Sequence, residues 1–243
     1  MGAAIGMMLS RAGGGGGGGT DPSYSSVTLL LHGDGTNGGT VFTDNGPLGH
    51  VPTQINGVAT STAQFKFGTA SLDFSTSAIR ELIIDNPQTG YNFGSGQFTV
   101  ECFARWTSAP GANLWGLVTQ FGGSSNLGWF LGMVSGSLAF YYSTTGTDNP
   151  NVGAAFTPTL NQWYHIAADR DASNVLRVYK DGVVHASATV SSTFFASTIN
   201  CIVGNDNNGT RQHVGYIDEV RVTKGVARYG GAFTAPTAAF PNS

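Results

Sequence analysis

The sequence predicts an all-β fold, a two-sheet antiparallel β-sandwich carrying an extended Gly-rich N-terminal tail. Three observations predict it. Among 243 residues only three are Glu and three are Lys, so the strong helix formers that normally coat helix surfaces are nearly absent. In their place stand 36 Gly, 26 Thr, 21 Ser and 16 Asn, residues suited to turns and to a pleated, half-buried surface. No segment holds a 3.6-residue apolar period over three turns, whereas short alternating runs between turn pairs recur along the chain. With 40% hydrophobic and only 10% charged residues there is ample material for a core, which separates the chain from disordered sequences.

The chain divides near residue 25 into a tail, 1–25, and one folded domain, 26–243. Ile5, Met7, Met8 and Leu9 form a short apolar cluster, followed by seven glycines from Gly13 to Gly19. Taken alone, a glycine run has much backbone entropy to lose and nothing to bury, so it reads as a flexible linker. Set against a partner surface, the same peptide reads as an anchor. It lacks a basic n-region and is too short to span a bilayer, so neither a signal peptide nor a membrane segment is expected and the protein is read as soluble.

Within the domain the elements follow in order. Val27 to Leu31 is an apolar strand ending in Gly33-Asp34-Gly35, Thr40 to Asp44 reads as a short strand, and Gln64 to Phe67 and Ser71 to Phe74 flank Gly68. Phe98, Val100, Cys102 and Ala104 alternate with Thr99, Glu101, Phe103 and Arg105, the two-residue period of a strand with one buried face. Trp129 to Val134 and Leu138 to Tyr142 make a hairpin about Ser135-Gly136, and Asn174 to Lys180 joins Val183 to Val190 through Asp181-Gly182. Trp163 to Ala167, Ile199 to Val203 and His213 to Thr223 complete about a dozen strands, and Val226 to Tyr229 offers one helical turn at most. A single open sheet that wide would curl or split, hence two sheets.

Several chemistries are excluded or weakened by the same residues. Gly33 to Gly38 spells G-x-G-x-x-G, but no helix follows whose N-terminus could meet a pyrophosphate. Glycosidases need two carboxyl groups facing one cleft, and Glu81, Glu101 and Glu219 form no alternating acidic string; Asp169 and Asp171 are assigned to a turn. There is no G-x-S-x-G elbow, and His165 on its strand reads as structural. Net charge is -3 with no basic stripe, so nucleic acid is not the expected partner. Cys102 and Cys201 read as small strand hydrophobes rather than a disulfide.

Residues 26 to 241 resemble the laminin-G-like, concanavalin A-like jelly rolls found in tailed-bacteriophage structural proteins. The resemblance is carried by Leu29 to Gly35, Phe67 to Phe74, Phe98 to Phe103, Trp163 to Ala167, Leu176 to Gly182 and Gly215 to Val222. The closing Lys224 to Tyr229, with Phe233-Thr234-Ala235-Pro236, resembles the phage branch in particular. These are scaffold motifs, so they speak to fold more than to function.

The resemblance implies a set of expectations. Asp34 and Asp218 match positions near which related jelly rolls hold calcium; the alternative is an Asp-Gly turn and a strand-end carboxylate paired with a base. Sugar-binding relatives use aromatic faces and planar amides, which singles out Trp115, Trp129, Tyr141 and Tyr142 with Asn126, Asn149, Asn151, Asn205, Asp206, Asn207 and Arg211, against a core role for the aromatics. Asn208-Gly209-Thr210 is a glycosylation string read here as a loop. The leading expectation is a non-enzymatic virion accessory protein, a homo-oligomer displayed on a phage particle and tethered to other virion proteins through residues 1–24. The alternative is a carbohydrate-binding adhesion module, and a divergent glycosidase ranks last.

Overall fold

The structure, a computed structural model, describes residues 19–76, 79–84, 90–110 and 114–243. The anchor residues Ile5, Met7, Met8 and Leu9 lie outside the described residues.

Among the described residues fifteen strands form two antiparallel sheets. The first comprises β1 (Val27–Leu31), β3 (Ala59–Ser61), β4 (Ser71–Asp73), β6 (Phe98–Trp106), β11 (Trp163–Arg170), β12 (Val175–Lys180), β13 (Val183–Thr189) and β15 (Gly215–Lys224). Its order is β13-β12-β11-β6-β15-β4-β3, with β1 also paired to β15. The second comprises β2 (Pro52–Ile55), β5 (Glu81–Ile84), β7 (Leu114–Phe121), β8 (Leu127–Val134), β9 (Ser137–Tyr142), β10 (Asn151–Ala155) and β14 (Cys201–Val203), in the order β10-β9-β8-β7-β14-β5-β2. The fold is the two-sheet jelly roll that the sequence predicts.

The two hairpins form where their turn pairs place them, because Ser135-Gly136 and Asp181-Gly182 both take positive φ, as a two-residue turn matching strand twist requires. Between the sheets, Phe98, Val100, Cys102, Ala104 and Trp106 of β6 meet Trp129, Leu131 and Met133 of β8 and Leu138 and Phe140 of β9 in one core. Cys102 and Cys201 are both buried and unpaired.

The outer face of β6 departs from expectation: it is buried too. Glu101 and Thr99 have no exposed surface and Phe103 almost none, because the closing segment folds back over them. Glu101 accepts hydrogen bonds from Arg221 Nε (2.9 Å) and from Tyr229, and pairs with His165 Nε2 at 3.0 Å. Arg221 in turn meets Asp21 at 3.2 Å, and Asp21 binds Arg228 at 2.8 Å. Tyr229 stacks on Phe233 with centroids 3.5 Å apart, and Arg221 lies 3.8 Å over the ring of Phe240. The residues carrying the phage-like resemblance are thus part of a clasp holding the segments around Asp21 and Phe240 to the sheet.

Other segments also differ from the sequence reading. Thr40 to Asp44 is no strand: Asp44 turns inward and accepts hydrogen bonds from the Leu30, Gly46 and His50 amides. Gln64 to Phe67 is likewise a loop, Val226 to Tyr229 makes no helical turn, and Asp169 is buried on β11, not at a turn. There it accepts from Tyr179 (3.0 Å) and the Gly230 amide (2.8 Å), while Asp171 alone makes the turn.

Candidate functional site

An open cleft of about 640 Å³ lies where the start of β7, the residue before Arg80 and the β14–β15 loop meet. Its lining is Ile79, Leu114, Trp115, Gly209, Thr210, Arg211 and Gln212. Ile79 is half exposed and supplies, with Leu114 and the 7% of Trp115 that the core leaves exposed, the apolar part of the lining. The rest of the lining is the polar loop.

That loop is built from below by two buried side chains. Asn205 Oδ1 accepts the amides of Asp206 and Arg211, both at 2.9 Å, while its Nδ2 donates to the Arg80 carbonyl at 3.3 Å. Asp206 accepts the Thr210 amide at 3.1 Å and forms an ion pair with Arg211. The loop can press onto β7 because residue 116 is glycine; a Cβ there would come within 2.5 Å of the Asn205 carbonyl oxygen. That contact admits a hydrogen bond from the Gly116 amide to the Arg211 carbonyl at 2.6 Å. Gln212 is tied down as well, donating to the Thr76 carbonyl at 2.8 Å. The site is therefore pre-organised rather than a floppy loop, which lowers the ordering cost of binding.

Directly behind Trp115 sits His213, with no exposed surface. Its ring meets Trp106 and Trp115 edge-on, with centroids 5.5 and 6.3 Å away. Burial among these rings pushes its pKa down to about 4, and the Arg105 and Tyr216 carbonyls only partly oppose the shift. The ring is neutral at neutral pH. As pH falls from 6.5 towards 4 the unfolded chain takes up a proton that the folded chain refuses, so His213 withdraws about 3 kcal/mol of stability across that window. Urea unfolding of wild type and His213→Phe should show this as a stability difference that shifts in favour of the variant as pH falls; a constant difference would remove His213 as the cause.

The predicted glycan residues separate in space. Trp115 and Arg211 line the cleft. Asn205 and Asp206 are fully buried and hold the loop instead of facing a ligand. Trp129 is a core residue, 1% exposed, whose Nε1 donates to the Tyr91 carbonyl at 2.8 Å, so it is no sugar platform. Asn126 spends its amide on Thr198, to whose hydroxyl Nδ2 donates at 2.6 Å. Tyr142 stacks on Phe194 at 4.6 Å and Tyr141 packs edge-on against Phe130. Asn149, Asn151 and Asn207 are exposed but do not line the cleft. Ile79, Leu114, Thr210 and Gln212 escaped the sequence reading, since nothing local distinguishes them; only the adjacency of Thr210 and Gln212 to Arg211 hinted at them.

Asp34 and Asp218, the residues expected near a calcium ion, are both engaged with the 66–70 loop. Asp218 accepts the amides of Lys66 (2.6 Å), Phe67 (3.2 Å) and Glu219 (2.9 Å), and Asp34 accepts the Thr69 hydroxyl at 2.9 Å and the Ala70 amide at 3.3 Å. Asp218 thus meets N–H donors with both oxygens and Asp34 meets N–H and O–H donors with Oδ1, and together they grip the 66–70 loop; calcium would need six to eight oxygen ligands. Gly68, at φ +65°, makes the grip feasible, because a Cβ there would lie 2.3 Å from Asp34 Oδ1. Burial and the Glu219 carboxylate push Asp218 up to about 8 despite its amide donors. Among the described residues no group of three or more His, Cys, Asp or Glu side chains is placed to hold a metal ion.

A family model described as the concanavalin A-like lectin/glucanases superfamily matches residues 84–227, more than half of the chain. The chain belongs to the concanavalin A-like lectin/glucanase superfamily. Comparison with curated proteins gives no match. Solved structures similar to this superfamily member include the binding domain of Paraclostridial Mosquitocidal Protein 1, with a TM-score of 0.62 and 14% identity over 84% of this chain and 50% of that one. The binding domain of botulinum neurotoxin DC in complex with SialylT gives 0.62 and 14% over 84% and 49%, and that of botulinum neurotoxin serotype C1 gives 0.59 and 15% over 84% and 50%. The chain spans about half the length of these structures. At such identities the likeness is one of fold.

Proposed function

We propose that the chain is a non-catalytic, lectin-like binding module whose cleft at Trp115 and Arg211 takes a glycan. The observation that carries this reading is the pairing of an apolar lining with a pre-organised polar loop in one open cleft, the combination that a sugar's C–H face and hydroxyl groups require. The SialylT complex of a structural neighbour adds support from the same fold. Arg211 is already neutralised by Asp206, so the cleft favours neutral hydroxylated ligands over strongly anionic ones.

Display on a bacteriophage particle, with residues 1–24 as tether, is the second reading; the resemblance of Lys224 to Tyr229 favours it. Those residues form the clasp of the fold, so they speak to ancestry more than to location, and adhesion stands first. A glycan array decides between the two. The binding module gives saturable, competable signal from the full chain, weakened at least about tenfold in Arg211→Ala; a purely structural virion protein gives none.

A further inference from the structure

A second pocket, of about 260 Å³, lies at the end of β1 and shares no residue with the cleft. Leu31, Leu72 and Phe42 are its buried lining, and Asp34, Thr43 and Asn242 its exposed lining, with His32 and half-buried Asn45 between them. We propose that this pocket binds one neutral polyhydroxylated ring, a monosaccharide or a cyclitol.

The size sets the first limit. At roughly 30 Å³ per water the pocket holds about nine waters, room for one ring rather than a chain of them. The hydrogen-bonding groups set the second. His32 is fixed between two acceptors, with Nδ1 2.8 Å from Glu219 Oε1 and Nε2 2.6 Å from Asn242 Oδ1. Burial opposes a charge on the ring, and the Glu219 and Asn242 bonds outweigh it and raise the pKa. Both ring nitrogens are thereby engaged, and neither is left for a carboxylate or phosphate.

The charge balance points the same way. His32 supplies at most one positive charge against the carboxyl groups of Glu219 and Asp34, so an anionic ligand meets a net negative lining. What remains unpaired among the described residues is Asp34 Oδ2, the Thr43 hydroxyl and the side-chain amide of Asn45, with Nδ2 of Asn242. A carboxylate oxygen and two planar amides beside a hydroxyl are the groups that pair with vicinal hydroxyls, and Phe42 with two leucines suits the C–H face of a ring. Three are also anchored: Asp34 by Thr69 and Ala70, Asn242 by His32, and the backbone of Asn45 by a hydrogen bond from its N–H to the Leu30 carbonyl at 2.7 Å.

Ligand-observed NMR on the full chain tests this, using neutral hexoses and myo-inositol as probes with glucuronate and inorganic phosphate as charged ones. Expected is saturable binding of at least one neutral ring with Kd on the order of 1 mM, and weaker binding of both charged probes. Asn45→Leu should weaken it at least about tenfold while Arg211→Ala leaves it unchanged, which keeps failure here distinct from failure of the cleft. Should Asn45→Leu not fold, Thr43→Val serves the same purpose through the lost hydroxyl. No saturation by any neutral ring, binding that survives both variants, or equal binding of glucuronate or phosphate would overturn the proposal.

Discussion

Replacing Glu101 by alanine is expected to cost about 3–5 kcal/mol of folding stability, the range for removing one partner of a buried ion pair. Glu101 has no exposed surface and stands at the centre of the clasp. Its Oε1 receives two bonds from Arg221, at 2.9 and 2.8 Å, and its Oε2 meets His165 and Tyr229. Alanine would leave Arg221, nearly buried itself, with only Asp21 at 3.2 Å as ionic partner, and would strip the acceptor from His165 Nε2 and from the Tyr229 hydroxyl. The electrostatic sign agrees. Burial opposes ionisation of Glu101, but Arg221 and His165 outweigh it and hold the carboxyl well below the usual range. Its contribution is therefore in place above the ordinary glutamate value of 4.5 and fades only as pH falls below it. Urea unfolding at neutral pH measures the loss, and a cost below about 1 kcal/mol would mean that the clasp does not hold the segments around Asp21 and Phe240.

The second large effect is expected from Asp206→Ala, and it couples stability to the cleft. Asp206 is fully buried, and it both caps the Thr210 amide and pairs with Arg211. Without it the Arg211 guanidinium, whose Nε is already buried without a hydrogen-bond partner, loses its counter-charge. Stability should fall by about 2–4 kcal/mol and glycan binding by at least about tenfold, because the loop carrying Gly209 to Gln212 loses its floor. Arg211→Ala should reduce binding similarly and also cost stability, since it leaves the fully buried Asp206 carboxylate without its counter-charge. Thermal unfolding and binding measured on both variants separate the effects; binding unaffected by Asp206→Ala would show that the loop needs no support from below.

The fold was legible where the chain states its geometry locally. The alternation along β6 and the Ser135-Gly136 and Asp181-Gly182 pairs each encode a two-residue period or a positive-φ turn within a few residues. Short strands were not legible: β2, β3, β5 and β10 run to five residues or fewer, and they exist because long-range partners complete their ladders. Asp44 misled because the residues before it have strand character, whereas its buried carboxylate organises a loop through three backbone amides.

The site was legible only in fragments. Trp115 and Arg211 stood out by residue type, but the cleft is assembled from positions 79, 114–115 and 209–212, and no local pattern joins segments so far apart. Residue type also misplaced Trp129 and Asp206, because a tryptophan with a buried partner for its N–H and a carboxylate beneath an arginine look the same in sequence as a sugar platform and a ligand contact.

The central claim is that the cleft at Trp115 and Arg211 receives the glycan that the array selects. Backbone-amide NMR of the full chain, titrated with the strongest glycan from the array, tests it most directly. The largest shifts are predicted at Leu114, Trp115 and Gly209 to Gln212; saturable binding with those amides unmoved and shifts confined to other loops would contradict it.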